Sequence, residues 1–386
     1  MGMNKIPVLL AGINGYGAFY LDEILNSNDD SFFLAGVADP YAALSPRLAE
    51  LKEQGVPVFK SPDEFYASGN RAALAIIASP IHTHYPYTIS CLKHGSNVLC
   101  EKPVTGDLAR FDDLIAREEE SGLFVAVGFQ LSFSRNVQLL KEDIMKGLFG
   151  KPLEFKALCL PRRSAKYYSR NNCVGKRIFE GETILDSPLN NACAHELHNM
   201  LFLLGDTMAV CARVESLEAE LWQARPEIEN YDAAALRLNT SGKVKVLFYT
   251  AHCVEEHAGP LGEYKFERAV IHFRKNDHVF FTANFNDGST KMYDEKDKVK
   301  DMQKFYDALE SVRTGIKPVC TLKTVRGHTE CVTRAQEFPI NKVTREKLNQ
   351  GFDDDGDSFF YVPKLREAFL KSYEKGVLPS ETGFTV

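Results

Sequence analysis

The sequence predicts an α/β protein whose N-terminal third is a parallel sheet of βαβ units and whose remainder carries antiparallel strands. Three observations predict it. Short apolar runs alternate with helical patterns up to about residue 128, as strands buried on both faces alternate with crossover helices. A glycine-rich turn, Gly12-Ile13-Asn14-Gly15-Tyr16-Gly17, follows the first run. Further on, Ala234–Phe248 alternates around Asn239-Thr240-Ser241-Gly242, the pattern of a half-buried antiparallel hairpin.

Taken in order, Pro7–Ile13 is almost wholly apolar and reads as the first buried strand. A helix runs from Tyr16 to about Asn26, and Phe32–Ala38 is the second strand, ending at Asp39. Ser61-Pro62-Asp63-Glu64 is a helix start, with Ser61 as N-cap, Pro62 in the first turn and Glu64 placed for a capping box. Leu74–Ala78 is the next strand, the helix after it ends at Gly95, and Asn97–Cys100 follows. A helix through Leu108–Glu120 stops at Gly122, before a strand at Phe124–Gly128. Beyond these, strands are expected at Leu153–Leu160, Ala209–Ala219, Tyr264–Phe273 and His278–Ala283. Helices fit Val137–Lys146, Leu189–Leu204 and Met302–Val312. The boundary falls near residue 127, dividing 1–127 from 128–386, since single cores stop growing near ~250–300 residues.

Of the 386 residues, 44% are hydrophobic and 25% charged, which excludes a disordered or fibrous chain. Lys and Arg total 46 against 52 Asp and Glu, a net charge of −6. A mildly acidic chain is a poor partner for nucleic acid or anionic membranes, and no apolar run approaches the ~18 residues of a membrane span. A small molecule is the expected partner. The nine cysteines contain no CxxC pair, so reduced thiols and a cytoplasmic location are expected.

The turn after the first strand matches the dinucleotide fingerprint GxGxxG at Gly12 and Gly17, with Asn14 at the second glycine position and Gly15 beside it. That fingerprint needs one glycine for the tight turn and one for helix–strand packing. Asp39 ends the second strand at the ~20-residue offset where a carboxylate accepts both ribose hydroxyls. No basic residue precedes Arg47 to take a 2′-phosphate, which favours NAD over NADP. Two further groups leave strand C-termini, where open α/β sheets bind ligands: Ser79-Pro80-Ile81-His82-Thr83-His84 and Glu101-Lys102-Pro103. In a partly dry cleft, the Lys102 ammonium would lose hydration and exchange protons near neutral pH.

Together Gly12–Gly17, Asp39, Ser79-Pro80, His84, Gly95 and Glu101-Lys102-Pro103 resemble the glucose–fructose oxidoreductase / myo-inositol dehydrogenase (Gfo/Idh/MocA) family. The resemblance implies a Rossmann domain followed by an α/β domain with a large, mainly antiparallel open sheet, in a homodimer or homotetramer. It implies an NAD-dependent oxidoreductase acting on a hydroxyl-bearing carbon of a sugar, cyclitol or related polyol. Gly12, Asn14, Gly15, Tyr16, Gly17, Asp39, Ser79, Pro80, His84 and Glu101 would then line the cofactor site, with Lys102 beside nicotinamide and substrate. His195 matches the family's catalytic histidine, and Asn191 stands where the family usually has Asp. Ser187 and Pro188 read as N-cap and first-turn residue of this helix. Helical spacing would place Asn191, His195, His198 and Phe202 on one stripe.

Tyr167, Tyr168, Arg170, Asn171 and Asn172 form a polar loop before that helix, and Arg170 could fork onto a substrate carboxylate or hydroxyl pair. Asn191, His195, His198, Arg170 and Lys102 are thus the expected substrate residues. His195-Glu196-Leu197-His198 is HExH and lacks the HExxH spacing of a metal site. Asp353–Asp357 reads as an acidic solvated turn, because the first and twelfth calcium-loop positions would be Gly351 and Val362. There is no GxSxG or Walker A sequence. Two rival functions are glycoside cleavage through transient oxidation with retained NAD, and a non-catalytic NAD- or sugar-sensing protein. Lys102 and His195 together disfavour the sensor.

Overall fold

The computed structural model describes residues 5–275, 279–294 and 302–386. The chain forms two compact units, one from the described residues of Met1–Phe133 and Lys300–Lys323, the other from those of Ser134–Val299 and Thr324–Val386.

The first unit holds β1 (Ile6–Ala11), β2 (Phe32–Ala38), β3 (Val58–Phe59), β4 (Leu74–Ile77), β5 (Asn97–Cys100) and β6 (Val125–Val127). Between them lie α1 (Gly17–Asn26), α2 (Leu48–Glu53), α3 (Pro62–Ala67), α4 (His84–Lys93) and α5 (Leu108–Ser121). All neighbouring strands are parallel, in the order β3-β2-β1-β4-β5-β6. This order reverses direction of travel at β1, and its crevice at the strand C-termini is where such sheets take dinucleotides. Local signals work as read: Ser61 accepts the Glu64 N–H and Gly122 closes α5 at φ 68°. Glu64 reaches back one residue further than a capping box would, accepting the Lys60 N–H at 2.9 Å.

The second unit opens with α6 (Arg135–Met145), β7 (Pro152–Leu160), the short α7 (Ala165–Ser169) and a two-residue ladder of β8 (Ile178–Phe179) and β9 (Glu182–Thr183). After α8 (Ala194–Leu203) come β10 (Val214–Gln223), β11 (Ala233–Thr240), β12 (Lys245–Ala251), β13 (Ala258–Phe266), β14 (Ala269–Lys275), β15 (Val279–Phe285) and β16 (Thr290–Asp294). With β17 (Ile340–Lys342) they form a nine-stranded sheet, β16-β15-β14-β13-β7-β12-β11-β10-β17, antiparallel except at β7–β12 and β10–β17. The hairpin β18 (Asn349–Phe352) and β19 (Ser358–Tyr361) carries the acidic turn Asp353–Asp357, and α11 (Leu365–Lys375) follows. Val362, Leu365, Phe369 and Leu378 pack with Trp222, Tyr249 and Leu158 in this unit's core.

Four expectations change. The chain returns after β16 to the first unit as α9 (Gln303–Thr314), followed by α10 (Leu322–Ala335). Met302, Phe305, Ala308 and Leu309 of that segment join the core formed by Val8, Leu10, Ile76 and Leu99, so one cut near 127 misses it. Tyr264–Phe273 is two strands, because the chain reverses at Glu267-Arg268, whose N–H groups donate to the Lys151 and Phe149 carbonyls. No glycine, proline or asparagine marks that turn. The strand expected from Ala209 begins at Val214, and His278 lies outside the described residues.

The helix expected from Leu189 starts only at Ala194. Asn190 donates its side-chain amide to Ile184 O at 2.8 Å and Asn191 donates its own to Asp186 Oδ1 at 2.7 Å. Such back-bonding competes with helix formation. Ser187 and Pro188 therefore open a turn that precedes the helix, in which the Ser187 hydroxyl accepts the Asn190 N–H at 3.3 Å and the Ser187 carbonyl accepts the Asn191 N–H at 2.9 Å.

Candidate functional site

In the first unit, the turn from β1 into α1 is built by two glycines with separate tasks. Gly12 has φ +88°, and a Cβ there would stand 2.6 Å from the Ser79 nitrogen. A Cβ on Gly17 would stand 2.1 Å from the Gly12 carbonyl oxygen, so helix and turn approach through it. At the second fingerprint position, the Asn14 amide donates to Asp39 Oδ2 at 3.0 Å and to the Tyr41 carbonyl at 3.1 Å. Asp39 also accepts the Ile13 and Tyr41 N–H groups at 2.9 and 2.8 Å. The carboxylate is thereby fixed at the end of β2, with acceptor capacity left on Oδ1 for a ribose hydroxyl. A cradle that only glycine fits, beside a fixed carboxylate, suits a dinucleotide.

His84 joins the two remaining loops. Its ring nitrogens lie 2.7 Å from Pro103 O and 2.8 Å from Ser79 O, and burial holds its pKa below the ordinary value despite both carbonyls. The side chain is 1% exposed, so the structure gives it a positioning task between the Ser79-Pro80 and Lys102-Pro103 segments. Ser79 bonds Thr83 through their hydroxyls. The Lys102–Pro103 peptide is cis.

Glu101 is more occupied than the sequence suggests. It accepts the Tyr20 hydroxyl at 2.7 Å, the Lys102 N–H at 3.3 Å and the Lys304 ammonium. Lys304 also donates to the Tyr16 hydroxyl at 3.0 Å and is 1% exposed. Burial alone would lower the Lys304 pKa, but Glu101 and Tyr16 raise it above the ordinary lysine value. Gly128 makes room, since a Cβ there would sit 2.6 Å from Glu101 Oε1. Glu101 thus anchors the start of the Lys102 segment through a buried ion pair. The sequence reading missed Lys304 and Tyr20. The available signal was a lysine beside Phe305 and one turn from Ala308, on a face that is otherwise apolar.

In the second unit, Asp186 is held by the Asn191 amide and by the Gly175 N–H, each at 2.7 Å. His195 stands half-buried at the start of α8. His198, expected to share its face, is fully buried and stacks on Phe202 at 6.0 Å between ring centroids. Burial, with Lys141 and His328 nearby, pushes its pKa well below the ordinary histidine value. His198 therefore belongs to the packing beneath α8 and is closed to substrate. Arg170 lies exposed, its guanidinium carbon 3.7 Å from the Tyr167 ring centroid.

The first unit is, by strand order and turn, a dinucleotide-binding domain of the Rossmann class. Residues 6–129 match the Gfo/Idh/MocA family, described as an oxidoreductase family with an NAD-binding Rossmann fold. Over 108 residues the chain is 36% identical to myo-inositol 2-dehydrogenase of Thermotoga maritima, covering 28% of this chain and 32% of that protein. Over 168 residues it is 30% identical to inositol 2-dehydrogenase of Rhodococcus jostii, covering 42% and 44%. These matches span less than half the length of either relative. A scyllo-inositol 2-dehydrogenase (NADP(+)) of Bacillus subtilis is 23% identical over 84% of both chains. The fold is shared with the WlbA dehydrogenase of Bordetella pertussis, solved with NADH and UDP-GlcNAcA, at TM-score 0.70 and 18% identity over 86% of this chain and 97% of that one. Among the described residues no helix is long and apolar enough to cross a membrane.

Proposed function

We propose that this protein is an NAD-dependent oxidoreductase acting on a hydroxyl-bearing carbon of a sugar-like substrate. The observation that carries the reading is Lys102, half-buried at the C-terminal end of β5 and preceded by a carboxylate locked to Lys304, in the unit that also carries the Gly12–Gly17 turn. Bound NAD supplies the hydride acceptor. In this reading Asp39 accepts a ribose hydroxyl and repels a 2′-phosphate, and the Gly12–Gly17 turn admits the pyrophosphate. In the same reading Lys102 polarises the hydroxyl oxygen, and an imidazole such as that of His195 has the chemistry to take its proton. With Asn191 committed to Asp186, the usual carboxylate at that position is replaced by an amide–carboxylate pair.

The test is a screen of polyols, sugars and sugar acids with NAD, following NADH formation. Lys102→Ala should lower turnover by ~10²–10⁴-fold with folding retained. Glycoside cleavage without net NADH would favour the transient-oxidation alternative, and unchanged turnover in Lys102→Ala would remove Lys102 from the chemistry.

A further inference from the structure

In the second unit, β12 runs parallel to β7 and antiparallel to β11, which is antiparallel to β10. The C-terminal ends of β7, β10 and β12 therefore lie on one edge of the sheet. Three basic side chains leave that edge: Arg163 after β7, Arg225 after β10 and His252 after β12. The Arg163 N–H donates to the His252 carbonyl at 3.1 Å, and α7 then brings Tyr167, Tyr168 and Arg170 to the same place. The Arg163 and Arg170 guanidinium carbons stand 4.7 and 3.7 Å from the Tyr167 ring centroid, and that of Arg225 stands 4.2 Å from the Tyr168 centroid.

Their charges are not balanced alike. Arg225 pairs with Glu227 at 2.7 Å. Among the described residues, Arg163 and Arg170 have no carboxylate within ion-pair distance. The Tyr168 hydroxyl lies 2.9 Å from His252 Nδ1. His252 is 3% exposed, and its Nε2, like Arg163 Nε, has no hydrogen-bond partner among the described residues. Cation–aromatic stacking explains why the guanidiniums rest on tyrosines, yet it leaves two like charges on one ring with no carboxylate in ion-pair distance, beside the buried Arg163 Nε–H with nothing to accept it and a His252 ring that presents Nε2–H when Nδ1 accepts the Tyr168 hydroxyl. An oxyanion satisfies all of them. Asp186 is close enough to act on the Tyr167 hydroxyl, but it is not within ion-pair distance of either guanidinium, and its oxygens accept the Gly175 N–H and the Asn191 amide. The edge is also that of His195: Cys193, at the start of α8, reaches the Cys159 carbonyl near the end of β7.

We propose that Arg163, Arg170 and His252 Nε2 form a subsite for a carboxylate, so that the substrate is a hydroxylated acid of the sugar-acid class and not a neutral polyol. That the bound acid is a substrate rests on the oxidoreductase reading; the anion subsite rests on the geometry alone.

The test is calorimetric titration of the full chain loaded with NADH, so that binding is read without turnover. The probes are D-gluconate, D-glucuronate and D-galacturonate, their neutral counterparts D-glucitol, D-glucose and D-galactose, and glucose 6-phosphate. At least one acid should bind tenfold or more tightly than its neutral counterpart. Arg163→Gln and Arg170→Gln should each weaken that acid about ten- to a hundredfold, the scale of a charge-assisted hydrogen bond, and leave neutral binding within about twofold. Arg170 is exposed, but its guanidinium stacks on Tyr167 and donates to the Tyr167 carbonyl at 2.8 Å, so binding of the neutral sugars is the control for a packing change. Equal binding of acids and neutral sugars, preference for the phosphate, or equal weakening of acid and neutral ligands in the variants would overturn the subsite. A bound acid that never yields NADH when NAD replaces NADH would overturn the oxidoreductase reading and leave the subsite standing.

Discussion

Replacing Lys304 by Met should cost the first unit about 3–5 kcal/mol, the scale for removing one partner of a buried ion pair. The lysine and Glu101 side chains are 1% and 9% exposed, so neither is screened by water. Methionine fills much of the lysine volume, but it leaves the Glu101 carboxylate with the Tyr20 hydroxyl and the Lys102 N–H as its donors. A surface pair such as Arg117–Asp113, with side chains 41% and 36% exposed, should by contrast contribute little, because water screens it. Urea unfolding followed by circular dichroism gives the loss, and hydrogen exchange of the segment around Glu101 locates it. Adding Glu101→Gln to Lys304→Met should recover most of the stability, since no buried charge then remains. Because the folded pKa of Lys304 is raised, unfolding releases a proton more readily only above the ordinary lysine value of about 10.4. The difference between wild type and Lys304→Met should therefore stay flat from pH 7 to about 10 and shrink at higher pH. A loss below about 1 kcal/mol, or no recovery in the double variant, would refute the reasoning that this pair is desolvated and anchors the Lys102 segment.

Asp39→Ala should narrow the preference for NAD over NADP, because it removes an acceptor for a ribose hydroxyl and the repulsion of a 2′-phosphate; equal or tighter NADP binding by the wild type in calorimetry would sink that assignment. Asn191→Asp would set a second carboxylate at hydrogen-bond distance from Asp186, so one of the two must hold a proton. A carboxyl with a raised folded pKa destabilises above its unfolded value, so this variant should be less stable than wild type at pH 7 and approach it below pH about 4; a constant deficit across urea titrations at both pH values would contradict the pairing. His198 stays neutral in the fold while the unfolded chain takes up its proton, so wild-type stability should fall as pH drops below about 6.5. In His198→Asn the deficit relative to wild type should shrink over the same window, and a deficit that grows on acidification would show that the native ring is protonated.

The sequence by itself determined the parallel sheet, its dinucleotide turn and the placing of Asp39, Ser79 and Lys102 at strand ends. Those features are local: an apolar run, a capped helix or a glycine required by a 2.1 Å approach at Gly17 is written within a few neighbouring residues. The rest depended on partners distant along the chain. Lys304 meets Glu101 across 203 positions, and nothing in its spacing names that carboxylate. The Asn190 and Asn191 amides bond Ile184 and Asp186 in the turn before α8, partners that their helical spacing does not name. His195 and His198 are separated by burial, which the helical period cannot show. The Arg163, Arg225 and His252 cluster exists because three strands from different parts of the sequence end on one sheet edge. Periodicity specifies which face of an element is apolar; only the packed sheet specifies which charges come together there, and whether water is left to screen them.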